Sequence, residues 1–419
     1  MDYKPFSGID LDNSFFDSLK ADYKEFETWF KKKQTDGSKA YIEIDKSTNK
    51  MVGFLYVKVE DGEINDVVPV LSAKRRIKAG TFKVDAHGTK YGERFIKKIM
   101  DYAVAENAEE VYLTVFSKHT GLISLISRYG FIPKATKITQ NGTEQVYVKD
   151  MKLYTGNVLL DYPLIKKAGC KKYLLSIYPK YHTRLFPDSI LNNESYDVVQ
   201  DIAPTNSIHK IYICYMYGCA NLKPKDLLLI YRTSDGKGPA KYRSVVTSVC
   251  EVQEIKTRRS FKNVEEFTKY SSAYSIFAEK ELKEIWEQVD PKTNRPKQLY
   301  VIKMTYNAAL GKRVINDDLK SKYGIGIALD TYWGFIPLTD DQFQNVLKGG
   351  NVNENTWLLQ RQIRASGRDD RSDERPRMLL RRRSIRGNAG KKWKDLRPER
   401  SSGPFFQQRR SDQDRYSLY

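Results

Sequence analysis

Over its first 150 residues the chain alternates between two hydrophobic periods, and this alternation limits the fold more than any other feature. Phe15, Phe16, Leu19, Tyr23, Phe26 and Phe30 recur at helical spacing, with Asp12 or Asn13 placed to cap. Met51–Val59 reads as a strand, Asp61-Gly62 as a hairpin turn, and the runs Ile64–Leu71 and Ile77–Val84 as further strands. A polar turn, Asp85–Tyr91, leads into an amphipathic helix with Phe95, Ile96, Ile99, Met100 and Ala103 on one face. Val111–Phe116 reads as a buried strand, Thr120–Tyr129 as a short helix and Val146–Met151 as another strand. Strands interleaved with helices predict an α/β (α+β) domain, a mixed sheet flanked by helices, over residues 1–155.

The texture then changes twice. Residues 156–185 hold aromatics and two prolines, Pro163 and Pro179, without a clear period, and read as an ordered connector. Strand signals dominate residues 186–345: Ile208–Tyr217, Asp226–Arg232, Tyr242–Val252 and Gln298–Thr305, with helical inserts near Asn263–Tyr270 and Ala278–Gln288. Lys348–Asn355 is rich in Gly and Asn and reads as a boundary, so residues 346–419 form a tail. Residues 361–419 carry 18 Lys/Arg against 8 Asp/Glu, half of the whole chain's net charge of +20. Such a segment buries too little apolar surface to offset its ordering entropy, which predicts a disordered basic tail. Its runs Arg381–Arg383 and Lys391-Lys392 suit salt-sensitive contact with nucleic acid.

Four cysteines (Cys170, Cys214, Cys219, Cys250) without a C-x-x-C pair argue against a disulfide framework and against zinc, so no metal site is expected. The start Met1-Asp-Tyr-Lys-Pro lacks a basic region followed by an apolar run, and no stretch of about 18 apolar residues exists. A soluble cytoplasmic protein with no membrane partner is the expectation.

The strand ending at Val84 meets the helix through His87-Gly88-Thr89-Lys90-Tyr91-Gly92. A turn of this kind exposes successive backbone N–H groups, and the helix start adds a positive dipole end, an arrangement that suits a pyrophosphate. Lys74, Arg75, Arg76, Lys78, Lys90 and Arg94 would complement such a polyanion. With the later Tyr129-Gly130-Phe131, residues 10–153 resemble the GNAT acetyltransferase superfamily, whose acyl-CoA motif is Q/R-x-x-G-x-G/A. The resemblance implies acetyl-CoA held by Val84, His87, Gly88, Thr89, Lys90, Tyr91 and Gly92. His87 stands where Gln or Arg is usual, and Lys90 replaces the first glycine. The family's acid tyrosine falls at Ile126, and Tyr129, three residues on, is the candidate in its place. Candidate bases are Glu63 and Asp66, then Glu60, Asp85 and His119.

Leu222–Thr233, the Gly/Lys loop Ser234–Lys241 and Tyr242–Val252 resemble the PUA-like superfamily with its ASCH and EVE relatives, although Lys225 replaces a turn glycine. That resemblance implies a small β-barrel with helical inserts, and RNA (tRNA) or another nucleic acid contacted by Arg232, Lys241 and Arg243. Tyr231 and Tyr242 would be available to stack on bases. Together the two resemblances imply an acetyl-CoA-dependent N-acetyltransferase whose second domain selects an RNA or RNA-associated substrate. Two alternatives stay open: a nucleic-acid-binding or regulatory protein with a degenerate GNAT domain, and a transferase acting on a protein acceptor.

Overall fold

The computed structural model describes residues 1–45, 47–85, 90–187 and 207–352. They form a mixed α/β structure with two sheets. The expected tail from residue 353 onward lies outside the described residues.

The first sheet contains β1 (Asp2–Pro5), β2 (Lys39–Asp45), β3 (Lys50–Ile64), β4 (Leu71–Val84), β5 (Glu110–Val115), β6 (Ile132–Thr139) and β7 (Gly142–Asp150). Their order is β1-β2-β3-β4-β5-β7-β6. Helices α1 (Asp17–Asp22) and α2 (Phe26–Thr35) precede β2, α3 (Tyr91–Ala105) follows β4, and α4 (Thr120–Ser127) follows β5. The stripe on α3 behaves as its period predicts. Phe95, Ile96, Ile99, Met100 and Ala103 are buried against Leu55, Ile77, Val111, Leu113 and Val115. The N-terminal stripe is one helix in the sequence and three short pieces in the structure. Phe15 and Phe16 lie in a 3-10 turn, and Tyr23 is extended between α1 and α2.

The long β3–β4 hairpin corrects another expectation. Asp61-Gly62 is no turn: Asp61 opposes Arg75 and Gly62 opposes Lys74 inside the ladder. Arg75 donates to Asp61 at 2.9 Å and Arg76 to the Gly62 carbonyl at 3.0 Å, which holds this stretch in register. The hairpin closes instead at Ile64 and Leu71, around Pro69, which has no N–H to give a ladder.

The second sheet contains β8 (Lys172–Ile177), β9 (His209–Cys214), β10 (Leu227–Arg232), β11 (Val245–Thr257), β12 (Tyr300–Ile315) and β13 (Phe335–Leu338), in the order β13-β8-β10-β11-β12-β9. Strand β8 comes from the expected connector and runs parallel to β10. Around the sheet lie α5 (Val158–Asp161), α6 (Pro179–Leu185), α7 (Ala240–Arg243), α8 (Val264–Ser272), α9 (Glu279–Glu287), α10 (Asn316–Ser321) and α11 (Asp340–Gly349). The expected barrel does not close: among the described strands β13 and β9 are free edges. Closure is not needed to bury these side chains, because Phe267, Leu282 and Ile285 of the α8–α9 insert cover Ile211 and Ile213 of β9. Val346 and Leu347 are buried in α11, so the folded chain continues past the expected boundary at 346.

The two sheets share interior. Tyr162 and Ile208, which follow the strands of the first sheet along the chain, belong to the same apolar cluster as α3. Among the described residues, no helix is long and apolar enough to cross a membrane.

Candidate functional site

Strands β4 and β5 run parallel but share only three rungs, Arg76–Glu110, Ile77–Val111 and Lys78–Tyr112. Beyond them β4 continues to Val84 bonded to β3, and β5 continues to Val115 bonded to β7. The two strands therefore part, each presenting an unladdered edge. Such an edge offers N–H and C=O groups to an extended, amide-bearing ligand.

Side chains alternate across this opening. Ile77, Ala79, Leu113 and Val115 point to the α3 core, while Lys78, Gly80 and Thr114 line a cavity of about 410 Å³ beside α2. One wall comes from β3, β4 and α2 and carries Lys32, Lys33, Tyr56, Lys58 and Lys78. The other comes from the α1–α2 turn and the β6–β7 hairpin and carries Tyr23, Glu25, Lys137, Asn141 and Glu144. Glu144 is buried and accepts a 2.6 Å hydrogen bond from the Tyr23 hydroxyl. Burial, reinforced by Glu144, raises the Tyr23 hydroxyl far above the ordinary tyrosine value, so it stays protonated and donates. Asn141 donates to both oxygens of Glu25, at 2.9 and 2.8 Å. Burial lowers the Lys78 ammonium, and Glu60 partly restores it.

The expected site residues fall in three places. Of the cofactor set, His87, Gly88 and Thr89 lie outside the described residues, and Val84 ends β4 opposite Gly53. Lys90 sits at the start of α3 with its ammonium 4.4 Å from the Tyr274 ring centroid, and Arg94 lies over the Tyr91 ring. A side chain at Gly92 would come within 2.7 Å of Leu125 Cδ2, so close packing of α3 on α4 is reason enough for this glycine.

Among the candidate acids and bases, Tyr129 is buried beneath the α3 core, away from the cavity. Its hydroxyl meets His209 Nε2 at 3.0 Å, and His209 Nδ1 lies 2.7 Å from Gln253 Oε1. Burial, then Glu93, pushes the Tyr129 hydroxyl far up, while burial drives His209 down to about 4, which leaves the ring neutral. Glu93, on the first turn of α3, accepts from Tyr274 at 2.9 Å and from Ser207 at 2.7 Å in the same region. Glu63 is exposed at the end of β3. Asp66 is exposed and pairs at 2.5 Å with Lys137, whose hydrogen bond holds the carboxyl below its usual range. Glu60 accepts from Tyr112, Asp85 pairs with Lys83 at 3.1 Å, and His119 lies 2.9 Å from Asp22.

The expected nucleic-acid residues separate as well. Arg232 is buried and donates to the Arg243 carbonyl at 3.4 Å. Arg243 makes a two-pronged pair with Asp235 at 2.5 Å on each prong. Lys241 is exposed, as is the neighbouring Tyr242.

Neither Glu144 nor Glu25 stands out in the sequence, and Tyr23 reads there only as part of a helical stripe. The signal was present. Asn141-Gly142 marks a hairpin, Gly142 has φ +121°, and the pairing places Lys137 opposite Glu144. Among the described residues no group of three His, Cys, Asp or Glu is placed to hold a metal ion.

No protein-family model and no curated protein matches the chain. Among solved structures, similar chains include one of the NatC complex bound to Gag peptide and CoA, at 16% identity and TM-score 0.25, covering 35% of this chain and 96% of that one. Campylobacter jejuni N-acetyltransferase PseH with acetyl coenzyme A is similar at 13% identity and TM-score 0.23, covering 36% and 97%. Human THYN1 with DNA containing 5-methylcytosine is similar at 12% identity and TM-score 0.26, covering 43% and 98%. With TM-scores of 0.23, 0.25 and 0.26 these likenesses carry no weight, and the site stands on its own residues.

Proposed function

We propose that residues 1–155 form an acetyl-CoA-dependent N-acetyltransferase domain acting on an amine that enters the cavity beside α2. The observation that carries this reading is the parting of β4 and β5 directly over that cavity. The unladdered edge of β4 beyond Lys78 and the first turn of α3, at Tyr91 and Gly92, would hold the cofactor, and the edge fits its amide-bearing arm. Acetyl-CoA, when bound, supplies an acyl carbonyl activated as a thioester.

The chain's own part is to position the amine and move its proton. An ammonium cannot attack a carbonyl, so one proton must leave nitrogen first; the second leaves as the N–C bond forms and the C–S bond breaks, and would protonate the departing thiolate. Glu144 faces the cavity as the acceptor for it, steadied by the Tyr23 hydroxyl. Selection of an RNA substrate by residues 186–345, as the resemblance implies, would rest on exposed Lys241 and Tyr242, because Arg232 and Arg243 are engaged within the fold.

The test pairs calorimetry of acetyl-CoA binding with mass spectrometry of acetylated amines. Glu144→Gln should lower kcat by roughly 10²-fold, the usual scale of a positioned proton acceptor, with acetyl-CoA affinity unchanged. A wild type that does not bind acetyl-CoA rejects the proposal, and so does an unimpaired Glu144→Gln.

A further inference from the structure

We infer that the acceptor is a small zwitterion: an amine whose molecule also carries a carboxylate or phosphate on the side away from that amine. The inference rests on the transfer reading, because it names what the same cavity accepts.

The cavity has two poles. At one, the buried carboxylate of Glu144 and the carboxylate of Glu25 face an incoming ammonium. At the other, Lys58 and Lys78 stand directly opposite each other on the β3–β4 ladder. Like charges at such a pair destabilise a sheet. Both ammoniums lean on a single carboxylate, Glu60, at 2.5 and 3.8 Å. One negative charge leaves this wall positive, and a bound anion would relieve the repulsion. The nearby cations differ: Lys137 is matched by Asp66 at 2.5 Å and Lys33 by Asp36 at 3.5 Å. Gly80 of β4 and Thr114 of β5 lie among the lining residues, where the strands part between the two walls. An amine at the acidic wall and an anion at the basic wall would therefore place the ligand across the strand opening. At about 410 Å³ the cavity is near the small end of ligand sites, which suits a compact molecule.

The experiment uses the full chain and four probes of similar length: 2-aminoethyl phosphate, β-alanine, propylamine and 1,3-diaminopropane. Calorimetry measures binding, and thiol release from acetyl-CoA measures transfer. At least one anionic amine should bind about tenfold or more tighter than propylamine, the scale of a charge-assisted hydrogen bond. Comparing the two anionic probes tells phosphate from carboxylate. Lys78→Gln should bring the anionic amines down to the propylamine level, and Lys58→Gln, at the more exposed position, should halve the gap or better. Thermal transitions of both variants check folding. Equal binding of all four probes, or preference for the diamine, overturns the inference. So does transfer to an aminoacylated RNA or a peptide but to none of the four. If anionic amines bind in a Lys78-dependent way without thiol release, the transfer reading falls and the ligand class stands. If thiol release proceeds equally with all four, the ligand class falls and transfer stands.

Discussion

Two polar clusters lie on the two faces of the first sheet, and the contrast between them is one of closure. Beneath α3, Tyr129, His209, Glu93, Tyr274 and Ser207 are buried and hydrogen-bonded to one another or to Gln253. Across the sheet, the charged groups of the cavity keep open space in front of them. The first cluster fastens the two halves of the chain and consists of groups that satisfy each other. The second has charges in excess of their partners, as at Lys58 and Lys78. Polar groups that are mutually satisfied stabilise, whereas those left facing a cavity are available to a ligand.

The largest effect that would test this contrast comes at Gly130. Its φ is +82°, and a Cβ there would approach the Leu160 carbonyl oxygen to 2.4 Å. Backbone cannot turn aside as a side chain can, so Gly130→Ala should cost about 3 kcal/mol or more. Chemical denaturation measures this, and a loss under 1 kcal/mol would show that the fastening is loose.

Acid comes next. Burial lowers His209 to about 4 and His182 to about 3, from an ordinary 6.5. The unfolded chain therefore binds more protons between pH 6.5 and these values, and stability falls as pH drops through that window. Glu251 works the other way between about 4.5 and 8, because burial and then Asp161 raise its carboxyl to about 8. In a Glu251→Gln background that opposing contribution is gone, and unfolding free energy should fall by a few kcal/mol from pH 7 to pH 4. A flat profile would mean that these rings take up protons as readily in the folded protein as in the unfolded chain.

Tyr129→Phe gives the smallest effect and the sharpest separation. Removing the hydroxyl leaves His209 Nε2 without its donor and should cost about 1–2 kcal/mol of stability, with kcat unchanged. A loss of activity at unchanged stability would move Tyr129 from the closed cluster into the chemistry.

What the sequence revealed depended on whether the signal was local. The α3 stripe could be read because five apolar residues at helical spacing need only one neighbouring surface. Strand β8 could not, because Tyr173–Ile177 is buried on both faces and shows no alternation. Residue identity alone misled at Arg232. A basic residue at a strand end suggests phosphate contact, yet here the side chain is buried near Asp235, three positions along the chain. Glu144 and Tyr23 are 121 residues apart, and only the hairpin register brings them together.

The shared interior has a consequence for how the protein is made. The apolar cluster around α3 includes Tyr162 and Ile208, and His209 supplies the partner of Tyr129. A ribosome releases the chain from its N-terminus, so the first sheet emerges well before the residues that complete its core. Until residue 209 leaves the exit tunnel, α3 and α4 have part of their apolar surface uncovered. The nascent first half must wait for the second, and a messenger cut near residue 155 would yield a product with an unfinished core.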